Sequence, residues 1–263
     1  MNAPITGGGE PLLDVRNISL SFKGVSAIAD LSFSVRRGEI CALIGPNGAG
    51  KSSLLNILNG VYLPDAGEVV FDGEHFRHIK PIQVARRGIA RTFQNNALFK
   101  KMTVKENILT GLARHSAVTF VEQALRLPRA RREEAAFSDR AESILEFLEL
   151  QAYRDLAVGT LAYGIQKRVE LGRALVSAPQ LLLLDEPLAG MNAEEKEEIS
   201  DFVVDLNRHL DVTVVLIEHD IGIVMNMSHH VVVLDYGRKI GDGTPAEIQA
   251  NPEVISAYLG TVH

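Results

Sequence analysis

Apolar positions along the chain fall into short strand-like runs and longer segments of helical spacing. Near the amino end, the runs LLDVRNISLSF and LSFSV are β-type and are separated by Gly24, which predicts an antiparallel pair. Farther on, the apolar runs EICALIG, QLLLLDEP, VTVVLIEH and HVVVLDYG are flanked by helical segments such as KSSLLNILNG and AEEKEEISDFVVDLNRHL. Crossovers through helices favour parallel pairing. The pattern predicts an α/β fold with a mainly parallel core sheet and an antiparallel β subdomain.

A helical insert interrupts this alternation. From about residue 103 to residue 158 the β-type runs disappear, and the segments FVEQALRL and RAESILEFLEL have apolar spacing near 3.6. Ile144, Leu145, Phe147 and Leu148 illustrate this spacing. We therefore expect a helical subdomain between two parts of the sheet-containing core.

Composition narrows the class of protein. The 263 residues are 46% hydrophobic and 23% charged, with a formal net charge of -6, which fits a folded globular chain and disfavours nucleic acid as the main partner. The single cysteine, Cys41, lies in an apolar run and is interpreted as a buried core residue of a reducing compartment. The amino terminus resembles no signal peptide, and no uncharged apolar run approaches the ~20 residues of a membrane span. We expect a soluble, cytoplasmic protein.

The segment GPNGAGKSS matches the phosphate-binding pattern G-x-x-x-x-G-K-[ST] and stands between a predicted strand and a predicted helix. Its glycines allow backbone N–H groups to surround phosphate oxygens, and the lysine adds a positive charge at the helix N-terminus. Magnesium prefers hard oxygen ligands, which the hydroxyl of Ser52 offers. The residues predicted to bind the nucleotide here are Gly45, Pro46, Asn47, Gly48, Ala49, Gly50, Lys51, Ser52 and Ser53.

Polar residues at the ends of other predicted strands complete the candidate chemistry. Asp185 and Glu186 follow LLLL, where Asp185 would orient Mg2+ and Glu186 could polarise an attacking water. His219 ends VTVVLIEH, and Gln94 in ARTFQNN could give an amide oxygen to Mg2+ or to the water. Parallel strands bring their carboxyl ends to one edge of a sheet, so these residues are expected to lie together.

The motifs GPNGAGKSS, FQN, LAYGIQ, LLLLDEP, AGMN and IEHD resemble, in order and spacing, those of the ATP-binding subunits of ABC transporters, over about residues 12–259. The insert, LAYG and the tail GTPAEIQANPEVISAYLG look most like the branched-chain amino acid uptake group of that family. The resemblance implies a P-loop NTPase fold. It divides the chain into a flexible leader (1–11), a first part of the nucleotide-binding core with the antiparallel β subdomain (12–102), a helical subdomain (103–160) and a second core part with a C-terminal tail (161–263).

The resemblance also implies roles for individual residues, with ATP and Mg2+ as cofactors. In similar subunits an aromatic at the position of Phe22 stacks on adenine. The positions of Ser52, Gln94 and Asp185 would hold Mg2+. Glu186 would be the general base, and His219 would contact the γ-phosphate and organise the site. Catalytic roles are thus expected for Glu186, His219 and Gln94.

Two further segments would act between subunits. In the family, two ATPase subunits pair head to tail, and the signature motif of one closes over the triphosphate held by the other. That motif is here Leu161, Ala162, Tyr163, Gly164, Ile165 and Gln166. The expected interface turn is Ala189, Gly190, Met191 and Asn192, with a plain strand-to-helix turn as the less favoured alternative.

The signature departs from the general Leu-Ser-Gly-Gly-Gln, because Ala162 replaces serine, Tyr163 the first glycine and Ile165 the glutamine. Alanine is a poor N-cap and has no hydroxyl for a γ-phosphate. We therefore expect a heterodimer with unequal ATP sites, in which the half-site using Ala162 is the looser.

The favoured interpretation is the motor subunit of an importer, peripheral on the cytoplasmic face of the membrane. Its partners would be a second, non-identical ABC ATPase subunit, membrane permease subunits and, indirectly, a substrate-binding protein. Branched-chain amino acids are the group's usual cargo, with another amino acid, an amide or urea as alternatives. A soluble ABC ATPase acting on nucleic acid or ribosomes is the alternative from another class. A monomeric P-loop kinase would leave LAYGIQ and His219 unexplained.

Overall fold

The computed structural model describes residues 10–77, 80–92 and 98–259. It divides into two compact units, Met1–Arg91 with Gln180–His263, and Thr92–Pro179. The boundaries expected from the sequence at 103 and 160 lie inside the second unit, which also includes the segment LAYGIQ. The functional division of the chain into subdomains stays a prediction.

The described strands are β1 (Pro11–Phe22), β2 (Val25–Arg36), β3 (Ile40–Ile44), β4 (Ala66–Phe71), β5 (Glu74–Phe76), β6 (Ile89–Arg91), β7 (Leu181–Asp185), β8 (Thr213–Ile217), β9 (His230–Asp235) and β10 (Arg238–Gly243). The described α-helices are α1 (Lys51–Leu58), α2 (Pro81–Arg86), α3 (Val104–Thr110), α4 (Phe120–Ala124), α5 (Pro128–Phe147), α6 (Tyr163–Leu175), α7 (Ala193–Leu210), α8 (Ile221–Met227), α9 (Pro245–Gln249) and α10 (Pro252–Leu259).

Two sheets form the first unit. One is antiparallel and four-stranded, with the order β2-β1-β4-β5. The other has the order β10-β9-β3-β8-β7-β6 and is parallel from β9 to β6, while β10 pairs with β9 in the antiparallel sense. All residues of β3, β7 and β8 are buried, as expected for strands covered on both faces. The predicted mainly parallel core sheet and antiparallel β subdomain are confirmed.

The second unit is helical, in agreement with the fold class expected from the sequence, while the bounds of the helical subdomain stay a prediction. On α5, Ala141 and Leu145 are buried, in agreement with the apolar spacing in the sequence. Helix α6 packs closely here, because a Cβ added at Gly172 would lie 3.0–3.2 Å from side-chain atoms of Leu148, Ile144 and Ile108. Within the described residues, no helix is both long and apolar enough to cross a bilayer.

One strand ends earlier than its apolar run suggests. The run VTVVLIEH predicts a strand through His219, whereas β8 ends at Ile217. The buried carboxylate of Glu218 explains this end, because it accepts hydrogen bonds from the backbone N–H groups of Leu188 (2.8 Å) and His219 (3.1 Å). Hydrogen bonds to a side chain thus replace the hydrogen bonds between strands at this point.

Candidate active site

The loop between β3 and α1 depends on glycine. Gly45 has φ 149°, and a Cβ there would lie 2.0 Å from the carbonyl oxygen of Leu234. Gly50 has φ 98°, and its Cβ would lie 2.5 Å from the carbonyl oxygen of Ala27. A side chain at either position would collide with backbone. The loop is therefore held tightly against neighbouring backbone at both of its ends.

Lys51 is the first residue of α1 and points back into this loop. Its Nζ donates to the carbonyl oxygens of Gly45 (2.7 Å) and Pro46 (3.0 Å). Burial lowers the pKa of Lys51, while the charges of Glu186 and Asp185 oppose that shift. An ammonium group, a helix N-terminus and loop amides are the groups from which phosphate-binding sites are commonly built, so the geometry fits the prediction from the sequence.

The carboxyl ends of three parallel strands converge beside the loop. Asp185, the last residue of β7, pairs with Ile217 at the end of β8, and Leu43 of β3 pairs with the same residue from the other side. The phosphate loop, the two carboxylates after LLLL and His219 therefore leave one edge of one sheet, as expected from the sequence. This arrangement places an anion site beside acidic groups.

Asp185 has the properties expected of a metal ligand. Its side chain is 2% exposed, and Oδ2 accepts a hydrogen bond from Arg91 Nη2 at 2.7 Å. Its other oxygen, Oδ1, is buried and has no partner among the described residues. Ser52 is exposed on the first turn of α1. A carboxylate oxygen and a hydroxyl fit Mg2+, which is usually held by one or two carboxylates together with substrate phosphates.

Magnesium in this site would depend on that mixed set of oxygens. No group of three or more His, Cys, Asp or Glu residues that could hold a metal occurs in the parts of the chain that the structure describes. Gln94, the third metal ligand expected from the sequence, lies outside the described residues. Among the described residues, the fit of this site to Mg2+ therefore rests on Ser52 and Asp185.

Glu186 and His219 form a close pair. Glu186 has φ 49°, a left-handed conformation that costs a residue with a side chain about 1–3 kcal/mol. Its N–H donates to the carbonyl oxygen of Ile217 at 3.0 Å, which ties the turn to the end of β8. His219 Nε2 lies 2.6 Å from Glu186 Oε1. The strained backbone thus places the carboxylate within hydrogen-bonding distance of the imidazole.

Glu218 is a site residue that sequence reasoning missed. Burial raises its pKa, while the backbone N–H groups of Leu188 and His219, which it binds, oppose that shift. The carboxylate thereby links the turn after β7 to the residue that carries the imidazole. Its position beside His219 in the segment IEHD is the available signal, but this signal does not distinguish it from the polar end of a strand.

Phe22 ends β1 with a half-exposed ring. The ring packs edge-to-face against Tyr62, with centroids 5.2 Å apart and planes at 70°. This packing is favourable for aromatic pairs and fixes the orientation of the Phe22 ring. Tyr62, which the sequence did not single out, therefore supports the aromatic surface expected to stack on adenine.

The turn from Ala189 to Asn192 has a structural role in α7. Asn192 is the N-cap, and its side chain accepts a hydrogen bond from the N–H of Glu195 at 2.9 Å. Gly190 has φ 79°, while Met191 is buried. Ala189 and Gly190 are exposed. The expected role of this turn at a subunit interface stays a prediction.

The signature segment lies in the second unit, at the start of α6. Ala162 is the N-cap, and no side chain caps the helix there. The side chain of Gln166 donates to the carbonyl oxygen of Leu161 at 2.8 Å, and Lys167 Nζ lies 5.7 Å above the ring of Tyr163. Ala162 and Tyr163 are exposed, whereas Gly164 is buried. An exposed helix N-terminus with a weak cap therefore follows directly from this sequence.

Residues 28–189 match the family described as "ABC transporter". The chain belongs to the ABC transporter family. Residues 238–263 also match the family described as "Branched-chain amino acid ATP-binding cassette transporter". The chain is 40% identical over 250 residues to the "High-affinity branched-chain amino acid transport ATP-binding protein BraF" of Pseudomonas aeruginosa, covering 95% of this chain and 98% of the relative. It is 38% identical over 251 residues to the corresponding protein LivG of Escherichia coli K12, with the same coverage.

Solved structures agree with this assignment. An ATP-binding cassette of an ABC transporter in its ADP conformation is 32% identical and has a TM-score of 0.84, with 96% of this chain and 100% of that chain covered. A nucleotide-free ATP-binding cassette from an ABC transporter is also 32% identical and has a TM-score of 0.83, with 95% of this chain and 100% of that chain covered. These structural similarities confirm the P-loop ABC ATPase fold. The relatives BraF and LivG and the match of residues 238–263 confirm the resemblance to the branched-chain group.

This ABC protein is an ATP-binding and ATP-hydrolysing subunit of a transporter. The expectation of an ABC ATPase is therefore confirmed. The alternative of a soluble ATPase acting on nucleic acid or ribosomes is not favoured, because the relatives are transport proteins along almost their whole length.

Proposed function

We propose that this chain drives an importer of branched-chain amino acids through ATP-dependent closure and reopening of a pair of ATPase subunits. The observation that carries the motor role is the convergence of the phosphate loop, Asp185 and the Glu186–His219 pair at one edge of the parallel sheet. The cargo is supported by the names of the relatives BraF and LivG and by the match of residues 238–263.

Residues of the first unit bind and orient the nucleotide in this proposal. The loop amides and Lys51 hold the triphosphate, and Phe22 stacks on the adenine. Ser52, Asp185 and Gln94 would hold Mg2+, which would supply positive charge to balance that of the triphosphate. Oδ1 of Asp185 has no hydrogen-bond partner among the described residues, which supports this role.

Glu186 would accept the proton of the attacking water, and His219 would keep the carboxylate in place and contact the γ-phosphate. The separation of 2.6 Å between His219 Nε2 and Glu186 Oε1 supports this division of roles.

The partner is a second ABC ATPase subunit, and we propose that it is not identical to this chain. The exposed N-terminus of α6 gives an anion site that would bind the triphosphate held by the partner, and the missing cap at Ala162 makes this half-site the looser. Membrane permease subunits would receive the closing and reopening movement of the two ATPase subunits. The subunit then lies peripherally on the cytoplasmic face of the membrane, with a substrate-binding protein acting on the other side.

Replacement of Glu186 by glutamine tests the catalytic role. We expect Glu186→Gln to lower kcat by about 10²–10⁴-fold, the usual contribution of a general base, while ATP binding is retained. Glu197→Gln, which changes a glutamate on the surface of α7, is the control and should hydrolyse ATP at the normal rate. Normal turnover by Glu186→Gln would remove Glu186 from the role of base.

An uptake assay tests the cargo. A strain without this chain should lose accumulation of labelled leucine, isoleucine and valine, and expression of the chain should restore it. Restoration of uptake of an amide or urea, without leucine uptake, would instead favour another substrate within the same transporter group.

A further inference from the structure

Arg91 lies next to the predicted metal site, and sequence reasoning assigned it no role. It is the last residue of β6, which pairs with β7 in the parallel sense. Its side chain is only 10% exposed, and its guanidinium is shared between two acceptors in the first unit. Nη2 donates to Asp185 Oδ2 and Nη1 donates to Asn56 Oδ1, both at 2.7 Å.

In this arrangement, Arg91 holds the carboxylate of Asp185 through one of its two oxygens, Oδ2. An arginine presents its donors in a planar fork, so one held by two acceptors has little freedom to rotate. Asn56 belongs to α1, the helix that begins with Lys51 at the phosphate loop. The fork therefore links the nucleotide-binding helix to the end of β7, and it leaves Asp185 Oδ1 as the carboxylate oxygen without a partner among the described residues.

We propose that Arg91 is a positioning residue for the metal–nucleotide site: it holds Asp185 by Oδ2, with Asn56 as its anchor, so that Oδ1 stays oriented for the metal ion. The inference rests on the proposed role of Asp185 in binding Mg2+. Groups that orient a metal ligand from behind typically contribute about 10–100-fold to metal affinity. Arg91 would act in this way without touching the nucleotide or the metal.

Metal affinity, measured apart from turnover, tests the proposal. The full chain is incubated with a fluorescent ATP analogue, and Mn2+ binding is followed by electron paramagnetic resonance, with binding of the analogue in EDTA measured in parallel. We expect Arg91→Gln to raise the Mn2+ dissociation constant by about 10–100-fold. Metal-free binding of the analogue should change little, because Lys51 and the loop remain.

Two milder variants keep the test decisive if Arg91→Gln does not fold, since removing one member of a buried ion pair can be strongly destabilising. Arg91→Lys keeps the charge but replaces the fork with a single ammonium group. Asn56→Leu removes the anchor but leaves the Arg91–Asp185 pair. Both should weaken Mn2+ binding severalfold while the protein still unfolds cooperatively.

Arg37 offers a matched control within the same unit. It also bridges an amide oxygen and a carboxylate, because it donates to Gln180 Oε1 and to Asp72 Oδ1 at 2.8 Å each, but both charged side chains are about half exposed. Arg37→Gln should leave the Mn2+ dissociation constant unchanged.

The outcomes separate the inference from the proposed function. Unchanged or tighter Mn2+ binding in Arg91→Lys and Asn56→Leu would overturn the positioning role, because it would make Arg91 only a structural counter-ion or a competitor of the metal. Asp185→Asn tests the underlying metal role. If that variant bound Mn2+ like the wild type, the proposed role of Asp185 would fail, whatever the Arg91 variants did.

Discussion

The missing cap at Ala162 gives the sharpest prediction for how the two subunits pair. Ala162 is exposed and has φ -59° and ψ 153°, a backbone conformation suited to an N-cap, yet its methyl side chain gives α6 no cap hydrogen bond. Ala162→Ser adds one hydroxyl without entering the core. A serine cap instead of alanine is worth about 0.5–2 kcal/mol in the free energy of unfolding.

The same hydroxyl would also act in the dimer. It can accept from a backbone N–H of α6 with a lone pair and donate its hydrogen to a phosphate oxygen held by the partner subunit. A hydrogen bond to a charged group contributes about 1.5–3 kcal/mol. At about 1.4 kcal/mol for each factor of ten, ATP-dependent dimerisation should tighten about 10–150-fold.

Analytical ultracentrifugation with the partner subunit and ATP measures the dimerisation constant, and Glu186→Gln in the background prevents turnover. Leu127→Ser is the control: Leu127 is the N-cap of α5, in the same unit, and it also lacks a side-chain cap. It should not tighten the dimer. A dimerisation constant for Ala162→Ser equal to that of the parent would refute the reasoning, even if the free energy of unfolding rose.

Three further predictions concern the first unit. Gly45→Ala should lower the free energy of unfolding by about 1–3 kcal/mol and weaken ATP binding, because its Cβ would meet the carbonyl oxygen of Leu234 at 2.0 Å. Gly73→Ala is the control and should retain ATP binding in an isothermal titration, because its Cβ would meet no described atom within 4 Å beyond its two chain neighbours. Glu218→Gln should cost about 1–3 kcal/mol in urea unfolding and lower kcat. The N–H groups of Leu188 and His219 bind different oxygens of the carboxylate, and the amide NH2 that replaces one of these oxygens cannot accept a hydrogen bond. Burial lowers the pKa of His229, whose Nδ1 accepts a hydrogen bond from a backbone N–H of β3, so the unfolded state binds the proton more readily than the folded state. The contribution of His229 to the free energy of unfolding should be complete above about pH 6.5 and fall as the pH drops below it. His229→Asn should flatten this part of the plot of unfolding free energy against pH.

Much of the site follows from local sequence signals combined with one rule of topology. The phosphate loop is a contiguous motif, and Asp185 and His219 follow apolar strands. Because parallel strands end at the same edge of a sheet, the sequence alone predicts that these separate motifs lie together. The weak cap at Ala162 is equally visible, since N-cap preferences depend on the residue itself.

The parts that sequence reasoning missed depend on contacts between residues far apart in the chain. Arg91 binds Asn56, 35 positions away, and Asp185, 94 positions away. Nothing near Arg91 distinguishes a buried fork from an exposed arginine at the end of a short strand, because only strand pairing brings it to Asp185. The role of Glu218 could not be recognised from the sequence for the same reason, since this side chain accepts a hydrogen bond from Leu188, 30 positions away. The residues expected to do the chemistry were therefore predictable from motifs, while the residues that hold them in place required the packed sheet.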